Sequence, residues 1–160
     1  MRTLASKLLR SAVTGALLAV PCVIYAQAAR VPPPAVRLDP ITAIIDALET
    51  HQIVALGDWH YNLQLHELRL ELIRDPRFPE AVNDIVFECG ATQHQQIMDR
   101  YVSGFDVPYD ELRRAWTDFP SGSVCDGAVY EEFYRAVREV NANLVEARRI
   151  RVILGGDPTP

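Results

Sequence analysis

Three short apolar runs decide the fold: IVALG at residues 53–57, DIVFE at residues 84–88 and IRVIL at residues 150–154. Runs of this kind, rich in Val and Ile and without polar alternation, are typical of strands buried on both faces of a parallel sheet. Segments with helical periodicity separate them, so the strands should cross over right-handed and pair in parallel. The sequence therefore predicts an α/β domain with a three-stranded parallel sheet and crossover helices.

The segments between these runs have the spacing of amphipathic helices. Asp39 and Pro40 supply an N-cap and a first helical position for the first helix. A second helix is expected over residues 63–74, and the longest one opens at Asp126. No helix follows the last apolar run to cover it. Either this strand lies in the middle of the sheet or the chain is the N-terminal part of a larger α/β domain, and the second is favoured.

The N-terminal segment has the features of an export signal. Three basic residues precede an apolar run over residues 12–26, and the small-x-small pattern AQA ends at residue 28. The run is short of the ~20 apolar residues that span a membrane. We expect a signal peptide over residues 1–28, a proline-rich leader over residues 29–39 and one α/β domain over residues 40–160. The mature protein would then be periplasmic or secreted, without a membrane span; an uncleaved N-terminal anchor is the alternative.

Composition narrows the choice of partner and leaves the cysteines open. The chain has 21 acidic and 16 basic residues, a formal net charge of −5 and no basic run. Nucleic acid is therefore an unsuitable partner, and a small-molecule ligand or substrate is expected. Cys89 and Cys125 could pair in an oxidising compartment or remain free and buried, and the sequence does not decide between these states.

Polar residues follow each predicted strand. Asp58 and His60 follow the first strand, Glu88 closes the second and Asp157 follows the third. Parallel strands place their carboxyl ends at one edge of the sheet, where ligands bind in open α/β folds. We therefore expect Asp58, His60 and Glu88 to share one polar pocket as catalytic residues, with Asp157 contributing to substrate binding.

The predicted helix over residues 63–74 offers two further polar side chains. His66 and Arg69 lie one turn apart and face the same way. If that face points at the strand ends, both residues join the site in substrate binding; the alternative is an ordinary polar helix surface. The sequence contains no nucleophile elbow, phosphate-binding loop, dinucleotide fingerprint or HExxH motif.

The motif GDWH at residues 57–60, together with His66 and with Glu88 at the end of the next strand, resembles a known superfamily. It is similar to the erythromycin esterase-like, ChaN-like and TIKI-like proteins, above all to secreted bacterial members. Two longer stretches carry the resemblance further: LIRDPRF at residues 72–78 and VPYDELRR at residues 107–114.

The chain also departs from these proteins. Asp58 stands where they usually have Glu, so its side chain is one methylene shorter. They continue beyond a stretch like GDP at residues 156–158, whereas this chain stops soon after it. The resemblance therefore implies a chain that is truncated at its C-terminus.

The resemblance implies several activities, because the superfamily includes esterases, haem-binding proteins and metal-dependent peptidases. The first hypothesis is a hydrolase-like envelope or secreted protein. His60 would be the general base on a water, Asp58 or Glu88 would orient it, and Arg69 would bind an anionic group. The alternatives are a haem- or metal-binding envelope protein, in which His60 or His66 holds haem iron or a divalent metal, and an inactive truncated fragment.

Overall fold

The computed structural model describes residues 35–118, 125 and 127–156. The predicted signal peptide, most of the proline-rich leader and Asp157 lie outside these residues and stay predictions. So does Asp126, at which the longest helix was expected to open. In the part of the chain that is described, no helix is long and apolar enough to cross a membrane.

Helices dominate the described residues, and two strands lie among them. In chain order the elements are α1 (Pro40–Thr50), α2 (Leu63–Arg74), α3 (Phe78–Ala81), β1 (Asp84–Ala91), α4 (Gln95–Val102), α5 (Tyr109–Leu112), α6 (Arg114–Thr117), α7 (Ala128–Asn141) and β2 (Arg151–Gly156). Short 3-10 helices, Thr92–His94 and Glu146–Arg148, precede α4 and β2.

The first two helices begin at side-chain caps. The Asp39 carboxylate accepts a 2.8 Å hydrogen bond from the Thr42 amide, as the Asp-Pro signal predicts. The Asn62 side chain likewise accepts a 2.8 Å hydrogen bond from the Leu65 amide at the start of α2. The Asn62 cap fixes the end of the segment over residues 51–62, which contains the GDWH motif.

The two strands pair in parallel, as predicted for these segments. The register aligns Phe87 with Leu154 and then Ala91 with Gly156, so residues 88–90 of β1 bulge out of the ladder. Side chains still alternate between the two faces of β1 as far as Cys89, so Glu88, where a site residue was expected, lies on the exposed face with Val86.

The prediction of a third strand is wrong. Residues 53–56 form no strand, and Ile53 is 84 % exposed. A strand without polar alternation needs an apolar layer on each face. In the described sheet only one face is buried: Phe87 and Cys89 lie inside, whereas Val86 on the other face is 69 % exposed. Nothing in the described residues supplies the second layer, so the run at residues 53–56 stays outside the sheet.

Aromatic rings from α6 and α7 fill the buried side of β1. Phe87 stacks on Phe133 with ring centroids 4.1 Å apart, and it meets the edge of Tyr134 at 5.8 Å. Trp116 packs on Tyr134 at 5.6 Å. The fully buried Tyr134 hydroxyl donates to the Cys89 carbonyl, and burial raises the pKa of Tyr134 far above its ordinary value. This layer packs α7 against β1.

Cys89 and Cys125 form a disulfide with Cα atoms 5.3 Å apart, which settles the alternative that the sequence left open. Cys89 lies in the β1 bulge, and Cys125 lies just before α7. Both side chains are buried. The bond therefore ties the entrance of α7 to the carboxyl end of β1.

Candidate functional site

An ion pair anchors the loop that carries the GDWH motif. The Arg69 guanidinium on α2 lies 2.5 Å from Asp58 Oδ1, and both side chains are about 13–14 % exposed. The Arg69 guanidinium also lies over the Phe87 ring, 5.8 Å from its centroid. Asp58 is thereby held at the junction of the loop, α2 and β1.

His60 lies beside this ion pair. Its Nδ1 atom is 3.5 Å from Asp58 Oδ2, the carboxylate oxygen that Arg69 leaves open. Its side chain is 32 % exposed, so one edge of the ring is accessible. The structure thus brings together three of the residues proposed from sequence: Asp58, His60 and Arg69.

Tyr130 on α7 is a member of this cluster that the sequence analysis did not propose. Its hydroxyl lies 3.4 Å from His60 Nδ1. Burial, and then the nearby Asp58 carboxylate, raise the pKa of Tyr130, so that the phenol is protonated at neutral pH. Its helical register with Phe133 indicates a core position, and no sequence signal marks that its hydroxyl reaches the loop.

Glu88, proposed as a third catalytic residue, does not contact Asp58 or His60. It lies in the bulge of β1, and its side chain is exposed. Within the described part of the chain it has no hydrogen bond or ion pair with either residue. Its charge is nevertheless close enough to help raise the pKa of Tyr130. Glu88 is therefore a neighbour of the cluster and not part of it.

His66 does not reach the cluster either. Its Nε2 atom lies 2.9 Å from Glu132 Oε2 on α7, and the imidazole is buried. The hydrogen bond from His66 lowers the pKa of Glu132. Although His66 and Arg69 lie on one side of α2, His66 binds α7 and Arg69 binds the loop. A buried ring nitrogen that already has a carboxylate partner is poorly placed to bind a ligand.

The other two histidines have local partners. His94 is buried, and its Nε2 lies 2.8 Å from Asp118 Oδ2. His51 is exposed at the end of α1, where its Nδ1 lies 3.0 Å from the Ala47 carbonyl oxygen. His60 is thus the partly exposed histidine whose ring is oriented by a carboxylate.

Exposed apolar side chains surround His60 in the sequence. Trp59 is 79 % exposed, Tyr61 is 70 % exposed and Leu63 is 60 % exposed. Tyr61 has φ = 63°, a left-handed conformation that is uncommon for residues other than glycine. Backbone strain of this kind clusters at ligand-binding sites. We call Trp59, Tyr61 and Leu63 the apolar rim of the site.

The donor set does not suit a bare metal ion. Among the residues that the structure describes, no three His, Cys, Asp or Glu side chains are grouped to hold one. A haem iron differs, because the porphyrin supplies four nitrogen ligands and the protein adds only axial ones. A single accessible imidazole, such as that of His60, therefore fits haem better than a divalent ion.

Comparison with known proteins identifies the family. A search of curated proteins and a search of solved structures found no match. A family model described as "Haem-binding uptake, Tiki superfamily, ChaN" matches residues 44–148, well over half of the chain. The matched region contains the whole cluster around His60. The ChaN and Tiki part of the resemblance is thereby supported, whereas the erythromycin esterase-like part has no support. The chain belongs to the haem-binding ChaN family of the Tiki superfamily.

Proposed function

We propose that this protein binds haem and that His60 Nε2 is an axial ligand of the iron. The observation that carries the proposal is the orientation of the His60 ring. Nδ1 faces Asp58 at 3.5 Å and Tyr130 at 3.4 Å. Nε2 has no hydrogen-bond partner among the described residues, and the ring is partly exposed. Metal-bound histidines have this arrangement, in which the second ring nitrogen is held by a carboxylate or another polar group.

The apolar rim supports the same proposal. Porphyrin is a flat and mostly apolar ligand, and burying apolar surface contributes about 25 cal/mol per Å². Trp59 and Tyr61 flank His60 in the sequence and are largely exposed. Exposed aromatic side chains beside convergent polar groups are typical of ligand sites. A haem that is ligated by His60 would cover part of this surface.

The family description supports haem as the ligand, since it names haem-binding uptake. The export signal expected from the sequence would place the protein in the periplasm or outside the cell. A haem-binding protein in that location would act on haem before it enters the cytoplasm. Haem would then be its cargo.

Ester hydrolysis, the first activity expected from the sequence, is the second candidate. The Asp58–His60 contact favours it, because a carboxylate that orients a histidine is common to general bases. Glu88, however, does not take the second orienting role that the sequence suggested. The hydrolase hypothesis therefore rests on Asp58 and His60 alone.

The test is a haemin titration of the purified protein, followed by the Soret absorbance. The His60→Ala variant should bind haemin at least about tenfold more weakly than the parent, since even residues that only support a metal ligand cost 10- to 100-fold. The His51→Ala variant is the matched control, because His51 is exposed and its ring is bonded locally to the Ala47 carbonyl at the end of α1. It should bind haemin like the parent.

Unchanged affinity and an unchanged spectrum in His60→Ala would reject His60 as the ligand. The same proteins assayed with p-nitrophenyl acetate distinguish the second candidate. Hydrolysis that His60→Ala abolishes, in a parent protein that binds no haemin, would favour the hydrolase.

A further inference from the structure

We infer that Asp58, oriented by Arg69, fixes the tautomer of His60, with the proton on Nδ1 and a bare lone pair on Nε2. Asp58 and Arg69 are then positioning residues, and their effect on haem rests on the proposed function. Their effect on the histidine itself does not, because it exists in the protein without haem.

The Arg69–Asp58 ion pair determines which carboxylate oxygen faces His60. Arg69 Nη2 lies 2.5 Å from Oδ1, which leaves Oδ2 facing His60 Nδ1 at 3.5 Å. Both partners of the ion pair are mostly buried, and the Phe87 ring supports the guanidinium. The carboxylate therefore cannot turn away without leaving a buried Arg69 unpaired, which is costly.

An ionised carboxylate is negative and only accepts hydrogen bonds, so we expect the ring nitrogen that faces it at 3.5 Å to carry the proton. Neutral imidazole has one N–H and one lone pair, and a hydrogen bond from Nδ1–H places the lone pair on Nε2. That lone pair is the one that His60 would offer to haem iron. Asp58 thus favours the tautomer that can ligate haem.

Tyr130 competes with Asp58 for the Nδ1 atom of His60. Its hydroxyl lies 3.4 Å from the same Nδ1 atom, and a phenol can either donate or accept. Donation by Tyr130 would place the imidazole proton on Nε2 and block iron. Asp58 carries a negative charge and lies at ion-pair distance from Nδ1, 3.5 Å, whereas the phenol is neutral, so we expect Asp58 to decide the tautomer.

The Asp58→Asn variant should reverse the tautomer. Arg69 donates hydrogen bonds only, so it will keep the amide oxygen on its own side. The amide NH₂ group then faces His60 Nδ1, and NH₂ can only donate. Nδ1 must accept, and the proton moves to Nε2. The substitution removes no bulk, so the packing around Asp58 stays the same.

The experiment is a long-range ¹H–¹⁵N correlation spectrum of haem-free protein labelled with ¹⁵N-histidine. It is recorded at about pH 8, above the ordinary histidine pKa of about 6.5. The His60→Ala spectrum assigns the His60 signals. We expect the Nδ1–H pattern in the parent and in Tyr130→Phe, and the Nε2–H pattern in Asp58→Asn. Asp58→Glu keeps a carboxylate and should retain Nδ1–H.

An Nε2–H pattern in the parent overturns the inference by itself, whether or not any variant folds. So does an Nδ1–H pattern in folded Asp58→Asn.

A haemin titration separates this inference from the proposed function. Asp58→Asn should lower haemin affinity about 10- to 100-fold with His60 still present. If the tautomer switches but His60→Ala binds haemin normally, the positioning role holds and the haem proposal fails. If His60→Ala loses haemin but Asp58→Asn does not switch, the haem proposal holds and the positioning role fails.

Discussion

The Cys89–Cys125 disulfide should contribute a large part of the stability of the domain. The cysteines are separated by 36 residues. In the chain-entropy account a cross-link contributes about 3 kcal/mol for a 15-residue loop and about 4.7 kcal/mol for a 100-residue loop, so this one should contribute about 4 kcal/mol. Domains are typically stable by only about 5–15 kcal/mol. Loss of the bond therefore leaves the domain marginally stable.

The perturbation is the double variant Cys89→Ala/Cys125→Ala, and the assay is urea unfolding followed by far-UV circular dichroism. We expect the free energy of unfolding to fall by about 4 kcal/mol relative to the oxidised parent. Reduction of the parent should lower its urea midpoint in the same direction. The exposed substitution Gln52→Ala is the control and should change stability by less than about 0.5 kcal/mol.

The reasoning would be refuted if the double variant matched the oxidised parent in its unfolding free energy. It would also be refuted if reductant left the midpoint of the parent unchanged. Either result would show that the two thiols are not joined in the protein, or that the bond does not constrain the unfolded chain.

Two other contacts give testable predictions. Asn141 is buried, donates to the Val102 and Ile150 carbonyls and accepts from the Ile150 amide. Asn141→Leu should therefore cost about 3 kcal/mol or more in urea unfolding, since each unsatisfied buried group costs about 1–3 kcal/mol; the exposed control Asn143→Ala should change stability by less than about 0.5 kcal/mol. The His66 hydrogen bond lowers the pKa of Glu132 from 4.5, so Glu132 stabilises the fold above that pH and the contribution is lost as the pH falls below it. The stability difference between the parent and Glu132→Gln should shrink in thermal unfolding as the pH falls below about 4.5, and a difference independent of pH would contradict this reasoning.

The sequence predicts the elements whose signals are local. An Asp-Pro pair marks the start of α1, and the stop before Asp75-Pro76 marks the end of α2. The apolar runs of β1 and β2 are strands because helices bury one face of each. The run at residues 53–56 has the same composition, but its outcome depends on a second apolar layer that no local pattern encodes.

The candidate site also depends on packing that local sequence patterns do not predict. The rule that parallel strands end at one edge placed Asp58 and His60 after a strand that does not form, whereas helix periodicity placed Arg69 on α2, where it pairs with Asp58. Glu88 fails because it lies on the exposed face of β1 with Val86, whereas the apolar run predicted a strand buried on both faces. His66 instead forms a hydrogen bond with Glu132, which lies 66 residues further along the chain. This contact depends on how α7 packs against α2, which no local pattern predicts.

The central claim is that His60 ligates haem iron, and one spectroscopic measurement tests it directly. Pulsed EPR of the ferric haem complex, prepared with ¹⁵N-histidine, reports hyperfine coupling from any histidine nitrogen bound to the iron. We predict ¹⁵N coupling in the parent and in His51→Ala, and its loss in His60→Ala. Absence of the coupling in the parent, or its persistence in His60→Ala, would contradict the claim.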